Sequence, residues 1–285
     1  MNALRFPLLI LALGLSSSLP VAADDILDAR TGQPISRVAL LGVMGAADWV
    51  LFGERHDNPR HHDARAELLR DMQPVRVVME HLDQGARLHP VDSLDAALDR
   101  TGYNRKGWRW PMQQTLFQTL RETAALVVGG NLSRADGRKV AMGGMAALDN
   151  DLQARIKAAP LTGAAQALLD ADLDRGHCGH LAAERLPNMR LAQRARDAAM
   201  ARTLLAEASP GVLLAGNGHV RLDYGVPVLL RAAKPQARIV SVGFVETDDV
   251  VLPGAYDYLW VTPPLTRSDP CSGFTMPQGR ADRAA

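Results

Sequence analysis

The apolar run Trp49-Val50-Leu51-Phe52 stops abruptly at Gly53, Glu54 and His56. A continuous run of this kind, without polar alternation, suits a strand buried on both faces of a parallel sheet, and it predicts a strand over 48–53. A helix precedes it, from Ser36 to about Met44. A second, amphipathic helix follows through "HHDARAELLRDM", with Ala64, Leu68 and Met72 at helical spacing and Pro74 closing it. "VRVVMEH" then reads as another strand, completing a strand-helix-strand unit of the kind that crosses over right-handed and parallel. The alternation resumes with "TAALVVGGN", ending at Asn131, with "GVLLAGNGH", ending near His219, and with "ARIVSVGF". "YDYLWVT" reads as a late or edge strand. Between Asp149 and Ala208 the chain is rich in Ala, Leu and Arg and poor in β-branched residues, which predicts a helical subdomain or cap over about 149–208. The expected fold is α/β: a mostly parallel sheet flanked by helices, with that helical subdomain inserted. Past Pro263 the chain is expected to be irregular.

The first 23 residues have one basic residue, Arg5, then an apolar stretch from Phe6 to Leu15, then small residues ending in Val21-Ala22-Ala23. This pattern predicts a cleavable export signal and a periplasmic or secreted chain, residues 24–285, forming one domain. The apolar stretch is too short to span a bilayer, and no cysteine follows it to carry a lipid. Removing residues 1–23 takes away the one positive charge of Arg5, so the formal net charge of +1 becomes zero. Such a balance leaves no electrostatic footprint for nucleic acid. The two cysteines, Cys178 and Cys271, can pair in an oxidising compartment; the sequence leaves the pairing open.

In a parallel α/β sheet, ligands collect at the carboxyl ends of the strands. Four polar residues fall there: Glu54 and His56 after one strand, Glu80 ending a second, and His219 after Gly216-Asn217-Gly218. Glu54 and His56, two apart, share a side if the chain stays extended. Gly53 and the glycines before His219 allow backbone to come close. Two carboxylates and two imidazoles can hold a divalent metal or act as an acid-base pair. Arg134, at a helix start after Asn131, is a candidate for binding an anion. His61 and His62 open the second helix and are expected to face water. Trp108, Arg109 and Trp110 suit either a flat ligand with carboxylate tails or a plain helix-sheet contact. His177-Cys178-Gly179-His180 is too tightly spaced for a structural zinc site by itself. No nucleophile elbow, phosphate loop or dinucleotide fingerprint is present.

"LFGERHDNPRHHDARAELL", "VVMEHLD", "GGNLSR", "HCGHL" with "LAQRARDAAMARTL", and "LLAGNGHVRLDYGVP" together resemble the ChaN family of iron-regulated haem-binding proteins, within the wider Tiki, TraB and erythromycin-esterase superfamily. The resemblance spans about residues 53–245. It implies an exported haem-binding protein of haem or iron uptake, with haem held in a pocket formed by a homodimer. It further implies an axial tyrosine on each iron, propionates held by basic residues of the partner subunit, and uptake components as further partners. On this chain the implied haem contacts are Tyr224, His56, His219 and Arg134. The wider superfamily implies the alternative, a metal-dependent hydrolase with Glu54, His56, Glu80 and His219 around a divalent ion. "WRWPMQQTLF" lacks the tyrosine expected in many relatives.

Overall fold

Trp49–Phe52 forms a strand buried along its whole length, as the unbroken apolar run requires. The computed structural model describes residues 24–89, 93–207 and 209–272; the export signal expected over 1–23 lies outside them. In chain order the elements are β1 (Asp25–Asp28), α1 (Arg37–Gly45), β2 (Trp49–Phe52), α2 (Pro59–Met72), β3 (Arg76–Asp83), β4 (Arg87–Leu88), α3 (Leu94–Arg100), α4 (Gln114–Glu122) and β5 (Leu126–Asn131). There follow α5 (Arg134–Gly143), α6 (Asn150–Ala158), α7 (Gly163–Gly176), α8 (Leu186–Ala206), β6 (Gly211–Leu214), α9 (Asn217–Val220), α10 (Val226–Ala233), β7 (Ile239–Glu246) and β8 (Tyr258–Thr262).

The eight strands make one sheet in the order β1-β8-β7-β2-β6-β3-β5-β4. The six inner strands are parallel, and only the two edges, β1 on β8 and β4 on β5, run antiparallel. The late strand β8 is therefore an inner strand. The edge beside it is β1, a four-residue segment too short and too polar for its sequence to announce. β6 returns to lie between β2 and β3, so the carboxyl ends of these three strands are neighbours, at the place where the chain changes direction across the sheet.

Strand residues alternate between two cores. Val50, Phe52, Val77, Met79, Val212 and Leu214 face α1, α2 and α4, while Trp49, Leu51, Val78 and Leu213 face α5, α8 and α10. The helix-rich stretch resolves into α6, α7 and α8, and α8 lies directly on the sheet side through Ala195, Ala198, Ala199 and Met200. Small side chains bring this helix close enough that a β-carbon on Gly130 would lie 3.1 Å from Met200 Cγ. α2 begins with the Asn58 side chain accepting from the Arg60 N–H and with Pro59 in its first turn. It ends with Gln73 in the left-handed region, φ 46°, before Pro74.

The pairing of β3 with β5 shifts register between Met79 and Asp83. This irregularity frees Glu80 and His81 from the regular ladder. Gly129 of β5 makes it possible, because a β-carbon there would run into the Asp83 backbone carbonyl. Gly129→Ala is expected to cost about 1–3 kcal/mol through overpacking. Gly42→Ala, in α1 with nothing within 4 Å of the added carbon, is expected to stabilise by about 0.5–1 kcal/mol. Urea unfolding of the two variants beside the parent checks both signs.

Candidate functional site

Glu54, His56, Glu80 and His219 all line one cavity of about 1040 Å³ at the carboxyl ends of β2, β3 and β6. Two glycines allow the convergence. A β-carbon on Gly53 would strike the Asn217 side chain, and one on Gly216 would lie 2.7 Å from His56 Nε2 and 3.5 Å from Glu80 Oε2.

Glu54 is 2 % exposed and is surrounded by donors. His56 Nδ1 lies 2.6 Å and His81 Nε2 3.0 Å from its Oε1, and the Arg65 guanidinium pairs directly with Oε2. Arg65 is wholly buried. Burial pulls its pKa down to about 9, against the charge of Glu80, so it stays cationic at neutral pH. Its NH2 also lies 2.9 Å from His62 Nδ1, whose other ring nitrogen contacts the His56 carbonyl at 3.2 Å. The same Nδ1 lies 3.0 Å from Glu54 Oε2, so His62 sits between the carboxylate and the guanidinium. Burial likewise holds the pKa of His62 at about 4.

Glu80 accepts the Gly216 N–H at 2.7 Å. Its Oε1 lies 3.3 Å from His219 Nε2, and the other nitrogen of His219 lies 2.6 Å from Asp197 Oδ1. Burial disfavours charge on His219, but Glu80 and Asp197 outweigh it and lift the pKa to about 10. Burial would raise Glu80; the nearby His219 and His56 hold it well below the usual carboxylate range. A buried chain of charge thus runs from Asp197 through His219 to Glu80, whose Oε2 is 3.9 Å from His56 Nε2. The His56 side chain is 43 % exposed into the cavity, and the surrounding protein lowers its pKa while Glu80 opposes this. With Nδ1 bound to a carboxylate, His56 presents Nε2 to the open space.

These contacts decide what the predicted metal set can hold. Glu54, His56 and His81 offer ligand atoms within 4.8 Å of one another, yet the nitrogens nearest Glu54 already donate to it and Arg65 occupies its other oxygen. His219 faces carboxylates with both nitrogens and has no lone pair when protonated. Nε2 of His56 and the buried Nδ1 of His81, which has no hydrogen-bond partner among the described residues, are the nitrogens left over, where a zinc-type site needs three or four protein ligands. The donor set does not fit a divalent ion without displacing a buried arginine.

Other expectations are redistributed. Arg134 lines the cavity, together with Arg55, Arg109, Arg138 and Arg196. Tyr224 is not brought to it: it is 1 % exposed, its hydroxyl donates to Asp172, and Arg221 covers its ring at 4.8 Å. Burial and the Asp172 bond raise its pKa, which disfavours the phenolate an iron would require. His61 and His62 do not face water; both are 0 % exposed. His61 Nδ1 accepts the Arg55 N–H at 3.0 Å, and Nε2 meets Thr262 Oγ1 at 3.1 Å. Trp108 packs against the rings of His56 and His81, with centroids 4.9 and 4.5 Å apart, whereas Trp110 turns away to Tyr103 and Phe117. Cys178 and Cys271 are bonded, and His177 lines the cavity.

Sequence reasoning missed Arg65, His81, Asp197 and Arg196. A signal existed for Asp197, a charge set among the apolar Ala195, Ala198 and Ala199 of α8, and for Arg65 beside Ala64 and Leu68 of α2. A charge on a buried helix face needs a buried partner.

Arg65→Ala is expected to destabilise by about 3–5 kcal/mol by leaving Glu54 buried without its counter-charge, and the double change Glu54→Gln with Arg65→Met to recover part of that loss. Chemical unfolding of the two variants measures both. Burial holds His61 and His62 near pKa 4, below the roughly 6.5 of an unfolded histidine. The unfolded chain takes up these protons first, so stability is full above about pH 6.5 and falls as pH drops towards 4. Urea midpoints across this window should decline, and His61→Gln should flatten the decline.

A sequence model of the family described as haem-binding uptake, Tiki superfamily, ChaN matches residues 40–230. No curated protein matches the chain. Among solved structures, that described as cofacial heme binding to ChaN of Campylobacter jejuni is similar, with a TM-score of 0.70, 20% identity, and coverage of 83% of this chain and 95% of that one. The type III effector HopBA1 follows with a TM-score of 0.42 and 14% identity over 79% of this chain and 91% of its own. RRSP, a MARTX toxin effector domain from Vibrio vulnificus, has a TM-score of 0.39 and 13% identity over 80% and 37%. These last two are too distant in shape to support a functional reading. With the family pattern matched over most of its length and the same mostly parallel sheet beneath the cavity, the chain belongs to the ChaN family of haem-binding proteins in the Tiki superfamily.

Proposed function

We propose that this protein is an exported haem carrier of iron uptake that holds haem in the cavity above β2, β3 and β6, with His56 as an iron ligand. One observation carries the reading. His56 Nε2 opens into a cavity of about 1040 Å³ whose walls combine Ala141, Leu173, Met189 and Ala192 with Arg134, Arg138 and Arg196. No carboxylate pairs with these three arginines among the described residues; Arg196 touches the Asn131 amide oxygen at 3.3 Å. Haem would supply an iron for axial ligation and two carboxylates, and this chain offers an apolar surface, an imidazole in a fixed tautomer and guanidinium groups for those carboxylates. Glu54 orients His56 through Nδ1, as carboxylates orient metal-bound imidazoles. The Cys178–Cys271 bond supports an oxidising, extracytoplasmic location. A second copy of the chain covering the open side of the cavity completes the reading, as do uptake components that receive the haem.

The hydrolase alternative loses its metal but keeps the tuned chain from Asp197 through His219 to Glu80. Peptide or ester cleavage that survives a chelator and disappears in His56→Ala would favour it.

Haem titration is expected to give saturable binding, weakened about tenfold to a hundredfold by each of Arg134→Ala, Arg138→Ala and Arg196→Ala, the loss of one charge-assisted contact. Sedimentation of the same samples should show the mass of a dimer. Parent-like affinity in all three variants would remove the arginine wall from the site.

A further inference from the structure

The chain leaves β8 at Thr262 and runs on as a strap, without helix or strand, through residue 272. Neither large core draws on a side chain beyond Trp260, so polar and covalent ties fasten this strap where packing does not. Near its start the Leu265 N–H donates to Glu246 at 3.3 Å, and Arg267 grips Glu246 at 2.6 Å and Asp57 at 2.7 and 3.0 Å. At its far end Cys271 is bonded to Cys178, 93 residues earlier and just past α7. The N–H groups of Cys271 and Ser272 both donate to Asp269, at 2.8 and 3.1 Å. Those bonds fold the strap on itself, and the disulfide joins it to α7.

Both fastenings sit on the cavity. Asp57 lines it after β2, Gly176 and His177 line it at the end of α7, and Pro270 of the strap lines it with them. The strap therefore forms a stretch of rim between these two elements. Its α7 end is held under constraint: Cys178 adopts φ 58°, a region that a non-glycine residue occupies when its surroundings impose it. Cys178 and Cys271 are half-buried, and Gly179, Asp269, Pro270 and Ser272 beside them are exposed, so a reductant can reach the bond.

We propose that the Cys178–Cys271 bond is a redox latch on the cavity: a protein dithiol that reduces it releases the strap from α7, frees Pro270 from the wall and speeds the exit of the cargo. That the cargo is haem rests on the reading above. One thiolate of the dithiol attacks Sγ of Cys271 and forms a mixed disulfide as the Cys178–Cys271 bond breaks, and Cys178 leaves as a thiolate that takes a proton. The second thiolate of the dithiol then attacks its own partner sulfur in the mixed disulfide and displaces Cys271, which is protonated in turn. Two electrons and two protons pass to this protein, and the dithiol becomes a disulfide. Because the strap lies outside both cores, the latch opens without unfolding the sheet.

The probe is gallium protoporphyrin, which has the ring and carboxylates of haem but a metal that phosphines and thiols do not reduce. The loaded protein with its disulfide intact is compared with the same protein after reduction by a phosphine, and with the double variant Cys178→Ser and Cys271→Ser, by timing transfer of the porphyrin to excess apomyoglobin. Trypsin cleavage after Arg267 in the unloaded protein reads the strap without any porphyrin. Both unlatched forms should keep the circular dichroism of the parent, give up the porphyrin about tenfold faster and be cut faster after Arg267. A reduced dithiol of the thioredoxin class should open the bond in the folded protein. Transfer at the parent's rate in both unlatched forms would overturn the latch, as would a bond that the dithiol reduces only in urea. Loss of the parent's circular dichroism in both forms would make the bond a staple of the fold and overturn it equally. A parent that takes up no porphyrin would overturn the function proposed above; faster cleavage after Arg267 in the unlatched forms would then still uphold release of the strap, and parent-like cleavage would overturn it.

Discussion

The pairing of Glu54 with Arg65 at the buried end of β2 is the constraint on which the site depends. Withdrawing either charge from water costs several kcal/mol, and neighbouring rings back the pair even though Nε and Nη1 of Arg65 have no hydrogen-bond partner among the described residues. Glu54 also takes hydrogen bonds from His56 and His81, and Arg65 also meets His62. Burial lowers Arg65 only to about 9, so at neutral pH attraction wins over desolvation and the arginine keeps its charge. The consequence reaches the cavity through one side chain. His56 is the member of this cluster that is substantially exposed, and its tautomer is set by the buried carboxylate behind it.

A second line of charge backs the opposite wall. Asp197, at 0 % exposure, meets His219, and His219 meets Glu80. With His219 lifted to about 10, the imidazolium is the form present at neutral pH, and its single positive charge lies between two carboxylates that could not otherwise share so small a volume. The same protonation removes His219 from the set of possible metal ligands. Identical residue types, two glutamates and two histidines, thus divide into one open donor and three structural charges. Their surroundings, rather than their identities, make the division.

The sequence made β2 and β6 the most legible of the inner strands because each is an apolar run followed closely by glycine. β2 and β6 are buried throughout, and the four strand-end residues could be chosen from position alone. Short edge strands carried no such signal, since β1 is four residues with acids at both ends and β4 is two residues long. Burial of polar groups was the harder quantity. His61 and His62 read as solvated because they open a helix, yet the loop after β2 and strand β8 close over that helix start and use the rings as hydrogen-bond partners. Tyr224 lies five residues beyond His219 in sequence, but the turn after α9 carries it under Arg221 and towards Asp172 of α7. Proximity along the chain is a poor guide once a turn intervenes.

What the cavity selects follows from where its charges lie in depth. At the floor, the three carboxylates of Glu54, Glu80 and Asp197 face three buried cations, Arg65, His219 and Arg194, so their fields largely cancel over a few ångströms. Along the helices that form the walls, Arg134 and Arg138 project from α5 and Arg196 from α8, with no carboxylate paired to them among the described residues. A small polyanion could satisfy the arginines but would leave Leu173, Met189 and Ala192 wet. An apolar molecule would satisfy those but leave three guanidinium groups without partners, although solvated groups of this kind cost little. A flat amphiphile with carboxylates on one edge meets both demands, and if it carries a metal, the imidazole at the floor gives that metal a ligand. The buried ion pairs beneath the floor thus hold one imidazole in a fixed tautomer facing the cavity.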